Sequence, residues 1–82
     1  MNADLFDLSG KVAVVTGGAG IIGSRVCAGL AAYGASVAVV DINEEAARDL
    51  ANQIGDKALA IKCDVGNPDS VDAMVNAVTE QF

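Results

Sequence analysis

A cluster of glycines in the sequence TGGAGIIGS joins an apolar run to a helix-like segment. At such a junction Gly17 can form the tight turn that leaves the strand. Gly20 can let a ligand approach the backbone, and Gly23 can let the helix pack closely on the strand. Because amides at the start of a helix favour an anion, the spacing predicts a phosphate-binding turn. An ordinary turn without a ligand is the alternative.

A carboxylate closes the next apolar run, SVAVVD, which ends at Asp41. At the end of a second strand, such a carboxylate accepts hydrogen bonds from an adenosine ribose and repels a 2′-phosphate. The following residues, Ile42 and Asn43, bring no positive charge. The sequence therefore predicts NAD in preference to NADP. The alternative is an aspartate that only caps the turn into Asn43.

A second carboxylate, Asp64, closes the third apolar run and precedes Val65. The ends of parallel strands meet at one edge of a sheet, where open α/β folds bind their ligands. We therefore expect Asp41 and Asp64 on the same edge, with Asp64 able to accept a hydrogen bond from an adenine amino group. A turn-forming aspartate is again the alternative.

Strands and helices alternate among the elements that must position these residues. Short β-branched runs predict strands over 11–16, Ser36–Asp41 and 58–64. Because these runs lack polar alternation, they indicate parallel strands that are covered on both faces. The order β-α-β-α-β-α with short connections predicts an α/β fold with right-handed crossovers, strand order 3-2-1 and helices on both faces of the sheet.

Each of the three predicted helices has its own start or stop signals. The first begins in the glycine cluster and ends before Gly34, the second is capped by Asn43 and ends at Gly55, and the third begins after Asn67. Helical spacing predicts the buried residues Ile22, Val26 and Leu30 in the first, Ala47, Leu50, Ala51 and Ile54 in the second, and Val71, Met74, Val75 and Val78 in the third.

The composition excludes several classes of function. A net charge of −6 without a basic cluster argues against nucleic-acid binding. The chain has no histidine, and Cys27 and Cys63 lack the spacing of metal ligands, so we expect no metal site and two free thiols. Arg25 and the glycine turns interrupt the apolar stretch Val12 to Val40, so we expect no membrane span. Since residues 1–7 do not resemble a signal peptide, we expect a cytoplasmic protein.

Three stretches, LSGKVAVVTGGAGIIG, GASVAVVD and CDVGNPDSVDAMV, resemble the N-terminal third of a short-chain dehydrogenase/reductase. The resemblance implies a Rossmann-like, doubly wound parallel sheet and NAD(P)-dependent oxidation of an alcohol or reduction of a carbonyl. It also implies that Asp41 contacts the ribose, and that Asp64 and Val65 contact the adenine. The expected cofactor-binding residues are Gly17, Gly20, Ile21, Ile22, Gly23, Asp41, Ile42, Asp64 and Val65.

The family's catalytic Ser, Tyr and Lys have no counterpart in this chain. Tyr33 is followed four residues later by Val37 rather than by a lysine. We therefore expect residues 1–82 to be the N-terminal part of a single NAD(P)-binding domain, without catalytic residues and without turnover. At 52% hydrophobic residues, the composition suits the inner part of a larger α/β unit. We expect a homo-oligomer, which the exposed edge of the first strand could form.

The glycine spacing departs from the resemblance at one position. The single-domain branch of the family usually has a glycine at position 21, where this chain has Ile21. The spacing of Gly17, Gly20 and Gly23 instead matches the extended branch, which includes sugar-nucleotide epimerases and dehydratases. The flanking sequences favour the single-domain branch. An extended-branch enzyme and a non-catalytic NAD-binding regulatory protein stay open as alternatives.

Overall fold

The computed structural model describes residues 7–82, in which three strands alternate with three helices. The elements are β1 Val12–Thr16, α1 Ile21–Ala32, β2 Ser36–Asp41, α2 Glu44–Ile54, β3 Ala58–Lys62 and α3 Pro68–Gln81. The predicted element order is confirmed. The first predicted strand begins one residue too early and the third ends two residues too late. The prediction about a signal peptide concerns residues 1–7, of which residues 1–6 lie outside the described residues.

The three strands form one parallel sheet in the order β1-β2-β3, which is the predicted 3-2-1 order counted from the other edge. In the register, Thr16 pairs with Val40 and Asp41 pairs with Lys62. All three strands therefore end at the same edge of the sheet. The turns that carry Gly17, Asp41 and Asp64 leave from that edge.

The central strand β2 is buried on both faces, as its unbroken apolar sequence predicts. Val37 and Val39 belong to a cluster with residues of α1 and α2, whereas Ala38 and Val40 belong to a cluster with Met74 of α3. Helices thus cover both faces of the sheet, as predicted. Full burial of a valine side chain contributes about 1.5–3 kcal/mol, so β2 anchors the elements on either side.

Two asparagines begin the helices that follow β2 and β3. Asn43 Oδ1 accepts a hydrogen bond from the Ala46 amide at 3.1 Å, and Asn67 Oδ1 accepts from the Ser70 amide at 3.3 Å. Gly34 follows α1 with a φ of 102°, a backbone conformation that side chains disfavour. These predicted start and stop signals are confirmed.

The predicted buried stripe of α1 is wrong in part. Cys27 is the fully buried residue of this helix, while Ile22 is 80% exposed and Val26 is 45% exposed. The helix has apolar residues on two sides, and only the side with Cys27 and Leu30 packs against the core. In α3, Met74 is buried as predicted but Val75 is exposed. Periodicity identifies an apolar side but cannot tell which of two such sides meets the sheet.

Within residues 7–82, no helix is both long and apolar enough to cross a membrane. The stretch from Val12 to Val40 that resembles a span in composition consists of β1, α1 and β2.

Candidate functional site

The glycine turn between β1 and α1 is a tight reversal. Gly17 has a φ of 66°, which glycine adopts without strain. The Gly20 amide donates a hydrogen bond to Gly17 O at 3.1 Å, which closes the turn. Gly20 itself is extended and caps the start of α1 without a side chain, so Ile21 becomes the first helical residue. The predicted conformational role of Gly17 is confirmed.

Gly23 lets the first turn of α1 lie directly on the glycine turn. A Cβ at Gly23 would be 2.4 Å from Gly17 O and 2.9 Å from Gly18 Cα, both of which are backbone atoms. A Cβ at Gly20 would meet only Gly17 O, at 3.4 Å, which is ordinary contact. The fold therefore requires glycine at position 23, whereas nothing among residues 7–82 requires it at position 20.

Gly18 is a further required glycine that sequence reasoning missed. A Cβ there would be 2.8 Å from Val15 O and 3.3 Å from Cys27 Sγ. The Gly18 amide also donates to Val40 O at 3.1 Å, so the turn is bonded to the end of β2. The adjacent pair Gly17-Gly18 was the available signal, but the close approach depends on tertiary packing.

The first turn of α1 presents backbone donors. The amides of Ile21, Ile22 and Gly23 have no acceptor among residues 7–82, whereas the Ser24 amide returns to Gly20 O at 2.8 Å. The first turn contains no acidic side chain. Because the helix dipole places a partial positive charge here, these three amides form an arrangement suited to an anion.

The Asp41 carboxylate bonds two separate parts of the chain. Its Oδ1 accepts a hydrogen bond from the Asn43 amide at 3.0 Å, within its own turn. Its Oδ2 accepts from the Ala19 amide at 3.2 Å, across 22 residues. The capping alternative is therefore present in the structure, but it accounts for only one of the two oxygens.

Among the described residues, the Asp64 carboxylate bonds only its own turn. Its Oδ1 accepts a hydrogen bond from the Gly66 amide at 2.9 Å. The backbone of the same residue is held by Ser70, whose Oγ accepts from the Asp64 amide at 3.0 Å. The Asp64 amide therefore does not bond the backbone of β2, and β3 ends at Lys62 rather than at the predicted Asp64.

A cavity of about 220 Å³ joins the ends of the three strands. It brings together Gly17, Asp41, Ile42, Asp64 and Val65 of the predicted set, and adds Val40 and Cys63. The exposed side chains of Ile42 and Val65 belong to its rim, whereas Val40 and Cys63 are buried and close its floor. The other predicted residues, Gly20, Ile21, Ile22 and Gly23, lie outside this cavity at the start of α1.

Two cysteines lie beneath the strand ends, on opposite faces of the sheet. Cys27 belongs to the cluster with α1 and α2, and Cys63 belongs to the cluster with α3. Burial raises the pKa of the Cys27 thiol, whose Sγ contacts Gly18 O at 3.9 Å. Cys63 was identified from the sequence only as a thiol, because nothing in its spacing marks it as part of a cavity.

Two larger grooves lie away from the strand ends. One of about 530 Å³ lies between α1 and α2 and is lined by Ala28 and Ala31, with Leu50 opposite. The other, about 450 Å³, lies beside α2 and β3. The cavity at the strand ends is smaller, but it combines two carboxylates with a neighbouring row of amides, and it therefore has the donors and acceptors for a polar ligand.

Comparison with known proteins gives the family. The family model described as short chain dehydrogenase matches residues 11–82, so the chain belongs to the short-chain dehydrogenase family. D-threitol dehydrogenase of Mycolicibacterium smegmatis is 44% identical over 80 residues, covering 94% of this chain and 31% of the relative. A 2,5-dichloro-2,5-cyclohexadiene-1,4-diol dehydrogenase of Sphingobium indicum is 45% identical over 76 residues, covering 93% of this chain and 30% of the relative.

The fold agrees with solved structures of the same family. A 3-ketoacyl-(acyl-carrier-protein) reductase from Brucella melitensis, solved in complex with NADH, superposes with a TM-score of 0.90 at 39% identity. The match covers 92% of this chain and 31% of that structure. The sheet is therefore Rossmann-like, as expected, and the chain spans about a third of the length of the relatives it matches.

Proposed function

We propose that this chain forms the dinucleotide-binding part of an NAD-dependent oxidoreductase that acts on an alcohol or a carbonyl compound. One observation carries the proposal: a row of amides at the start of α1, without acceptors among residues 7–82, lies next to a cavity lined by two carboxylates. A bound nicotinamide dinucleotide accepts or donates a hydride. The solved relative with NADH supports this class of cofactor.

Each predicted residue has a role in this proposal. The amides of Ile21, Ile22 and Gly23 donate to the pyrophosphate, and Gly20 leaves room for it. The Asp41 carboxylate accepts from the adenosine ribose. Ile42 and Val65 provide the apolar sides of an adenine site, and Asp64 accepts from the adenine amino group. Gly17 shapes the turn between the two halves of the site.

The preference for NAD over NADP rests on the charge of Asp41. Between residues 7 and 82, the ion pair present joins Arg48 to Glu44, and none involves Asp41. Among these residues no side-chain cation therefore neutralises the repulsion between the Asp41 carboxylate and a 2′-phosphate. Since a hydrogen bond to a charged group contributes roughly 1.5–3 kcal/mol, we expect the affinity for NAD to exceed that for NADP by at least about tenfold.

Calorimetric titration of NAD into the chain and into two glycine variants tests the proposal. Gly20→Ala introduces a Cβ that has space in the fold but that a bound pyrophosphate would meet, so we expect about tenfold weaker NAD binding. Because alanine is a poorer N-cap than glycine, we also expect a loss of about 1 kcal/mol in the free energy of unfolding. Gly29→Ala is the matched control: it lies in α1 with open space around it, and it should stabilise the helix by about 1 kcal/mol without changing NAD affinity. Equal NAD affinity in both variants would contradict the assigned site.

We also propose that residues 1–82 bind NAD weakly and do not turn over a substrate. The supporting observation is that Tyr33 has Val37 rather than a lysine four residues on, so the chain offers no matched proton donor for hydride transfer. A steady-state assay with NAD and a panel of alcohols should show no reduction of the cofactor. Affinity as tight as that of a complete dehydrogenase would oppose this part of the proposal.

The edge of β1 supports a proposal about assembly. Val12 and Val14 of β1 are each nearly half exposed, and so is Val26 of α1. Because an unpaired apolar edge favours pairing with another chain, we propose a homo-oligomer that uses this edge. Light scattering should give a mass that rises with concentration, and a monomeric mass at high concentration would argue against it.

The buried free thiols of Cys27 and Cys63 support a reducing, cytoplasmic location.

A further inference from the structure

We propose that Asp41 is also a positioning residue: its carboxylate holds the glycine turn in its anion-binding form before any ribose is present. The proposal rests on the proposed function, because the turn it positions is the assigned phosphate site. If Asp41 only bound the ribose, replacing its side chain would not change the conformation of the glycine turn. The two roles therefore differ in what they predict for the cofactor-free chain.

Two consecutive amides attach the glycine turn to the end of β2. The Gly18 amide donates to Val40 O at 3.1 Å, and the Ala19 amide donates to Asp41 Oδ2 at 3.2 Å. The first of these bonds is made to the backbone and is available to any residue at position 40. The second depends on a side-chain oxygen at position 41, and making this bond together with the bond from the Asn43 amide takes the two oxygens of a carboxylate. Asp41 therefore contributes a long-range contact that no backbone group replaces.

The two attached amides determine which donors face a ligand. The amides of Gly18 and Ala19 point to β2, and the Gly20 amide returns to Gly17 O. The next three amides, from position 21 to position 23, are the ones left without an acceptor among residues 7–82. Because Ala19 is held against β2, the amides of positions 18 to 20 are hydrogen-bonded and those of positions 21 to 23 are available to a ligand.

The Asp41 carboxylate has the capacity for both roles at once. An ionised carboxylate offers about four lone-pair sites on two oxygens. The Asn43 amide uses one site on Oδ1 and the Ala19 amide uses one on Oδ2. One site on each oxygen is left, which suits two neighbouring ribose hydroxyls. An asparagine has a single acceptor oxygen, so it cannot accept from both amides in this arrangement.

Inorganic pyrophosphate separates the two roles because it contains no ribose. Asp41→Asn removes a negative charge near the phosphate site. The loss of this Coulomb repulsion would by itself strengthen the binding of an anion. If Asp41 positions the turn, the same variant should instead bind pyrophosphate several-fold more weakly. The expected change is thus opposite in sign for the two roles. Chemical-shift titration of the chain with pyrophosphate measures it.

Asp64→Asn is the matched control. It removes one negative charge from the same edge of the sheet, but within residues 7–82 the carboxylate of Asp64 bonds only the Gly66 amide in its own turn. We expect pyrophosphate affinity in this variant to be unchanged or slightly higher. A decrease equal to that of Asp41→Asn would overturn the positioning role, since loss of either carboxylate would then have the same effect.

Amide hydrogen exchange in the cofactor-free chain gives a readout without any ligand. We expect the Ala19 amide to exchange more slowly than the amides of Ile21 and Ile22 in the wild-type chain. In Asp41→Asn its exchange should accelerate about tenfold, as expected for the loss of one hydrogen bond to a charged group, and in Asp64→Asn it should not change. Rapid Ala19 exchange in the wild type would overturn the proposal even if Asp41→Asn failed to fold. Failure of the wild type to bind NAD or pyrophosphate, with Ala19 protected, would contradict the proposed function and leave the contact established.

Discussion

The ends of β2 and β3 have similar local sequences, but their aspartates bond residues at very different distances along the chain. An aspartate stands at or just beyond the end of each strand, and a short turn then leads to an asparagine that caps a helix. At the end of β2, Asp41 bonds the Ala19 amide across 22 residues, whereas at the end of β3, Asp64 bonds Gly66 two residues away. A carboxylate of the same type therefore connects distant elements in one place and shapes a local turn in the other.

The difference follows from the neighbours of the two strands. β2 is the central strand, and the glycine turn that leaves β1 lies directly beside its end. β3 is an edge strand in the described part of the chain, so the glycine turn does not lie next to its end. Similar local sequences thus acquire different roles because the two strands have different positions in the sheet, and the sequence of one strand does not specify that position.

The largest expected effect that tests this comparison comes from two glycines, one in each region. Gly23→Ala places a Cβ against the backbone of the glycine turn, so we expect a loss of about 3 kcal/mol in the free energy of unfolding. Gly66→Ala meets only Asp64 Oδ1, at 3.3 Å, and that side chain can move aside. We expect its effect to be within about 0.5 kcal/mol. Urea unfolding of both variants measures the difference, and similar losses would break the comparison.

A smaller and nearly equal effect is expected from the two helix caps. In the described part of the chain, the side chains of Asn43 and Asn67 each accept hydrogen bonds only from amides in the first turn of the following helix. Replacement of either by alanine should lower the free energy of unfolding by about 1 kcal/mol. The Asn43 amide, which bonds Asp41, is retained in the alanine variant. A much larger loss at Asn43 would show that capping, rather than the Asp41–Ala19 contact, distinguishes the two regions.

The smallest expected effect concerns pH and the thiol beneath the glycine turn. Burial raises the pKa of Cys27 above its value in the unfolded chain. The buried, protonated thiol therefore stabilises the fold fully at pH values below the pKa of Cys27 in the unfolded chain. This stabilisation is lost as the pH rises through the pKa of Cys27 in the folded chain. Above about pH 9, we expect the unfolding free energy of the wild type to fall more steeply than that of Cys27→Ala. Parallel curves for the two proteins, followed by circular dichroism, would refute this.

Much of this architecture follows from local sequence. The β-branched runs, the asparagine caps and Gly34 predict the element order and most boundaries, because each reflects a preference of the residue itself. The parallel order then predicts that Asp41 and Asp64 share one edge of the sheet, and both line the same cavity in the structure. Predicting these features does not require knowing which side chains contact one another.

The features that sequence reasoning missed all depend on tertiary contacts. Gly18 is required because Val15 O and Cys27 lie against it. The bond from Ala19 to Asp41 joins residues that only sheet formation brings together. The exposed Ile22 and Val26 show the same limit, since α1 is apolar on two sides and the packing decides between them. Local preference specifies the elements, and their juxtaposition specifies the contacts of the site.

The register of β1 and β2 has a consequence for recombination between relatives. Each residue of β1, from Val12 to Thr16, pairs in strict succession with a residue from Ser36 to Val40, which places Gly17 level with Asp41. Adding or deleting one residue within β2 before Asp41 would turn its carboxylate to the other face of the sheet. A chimaera that exchanges the β1–α1 unit between family members therefore has to preserve the pairing of Val12–Thr16 with Ser36–Val40, whatever its sequence identity elsewhere.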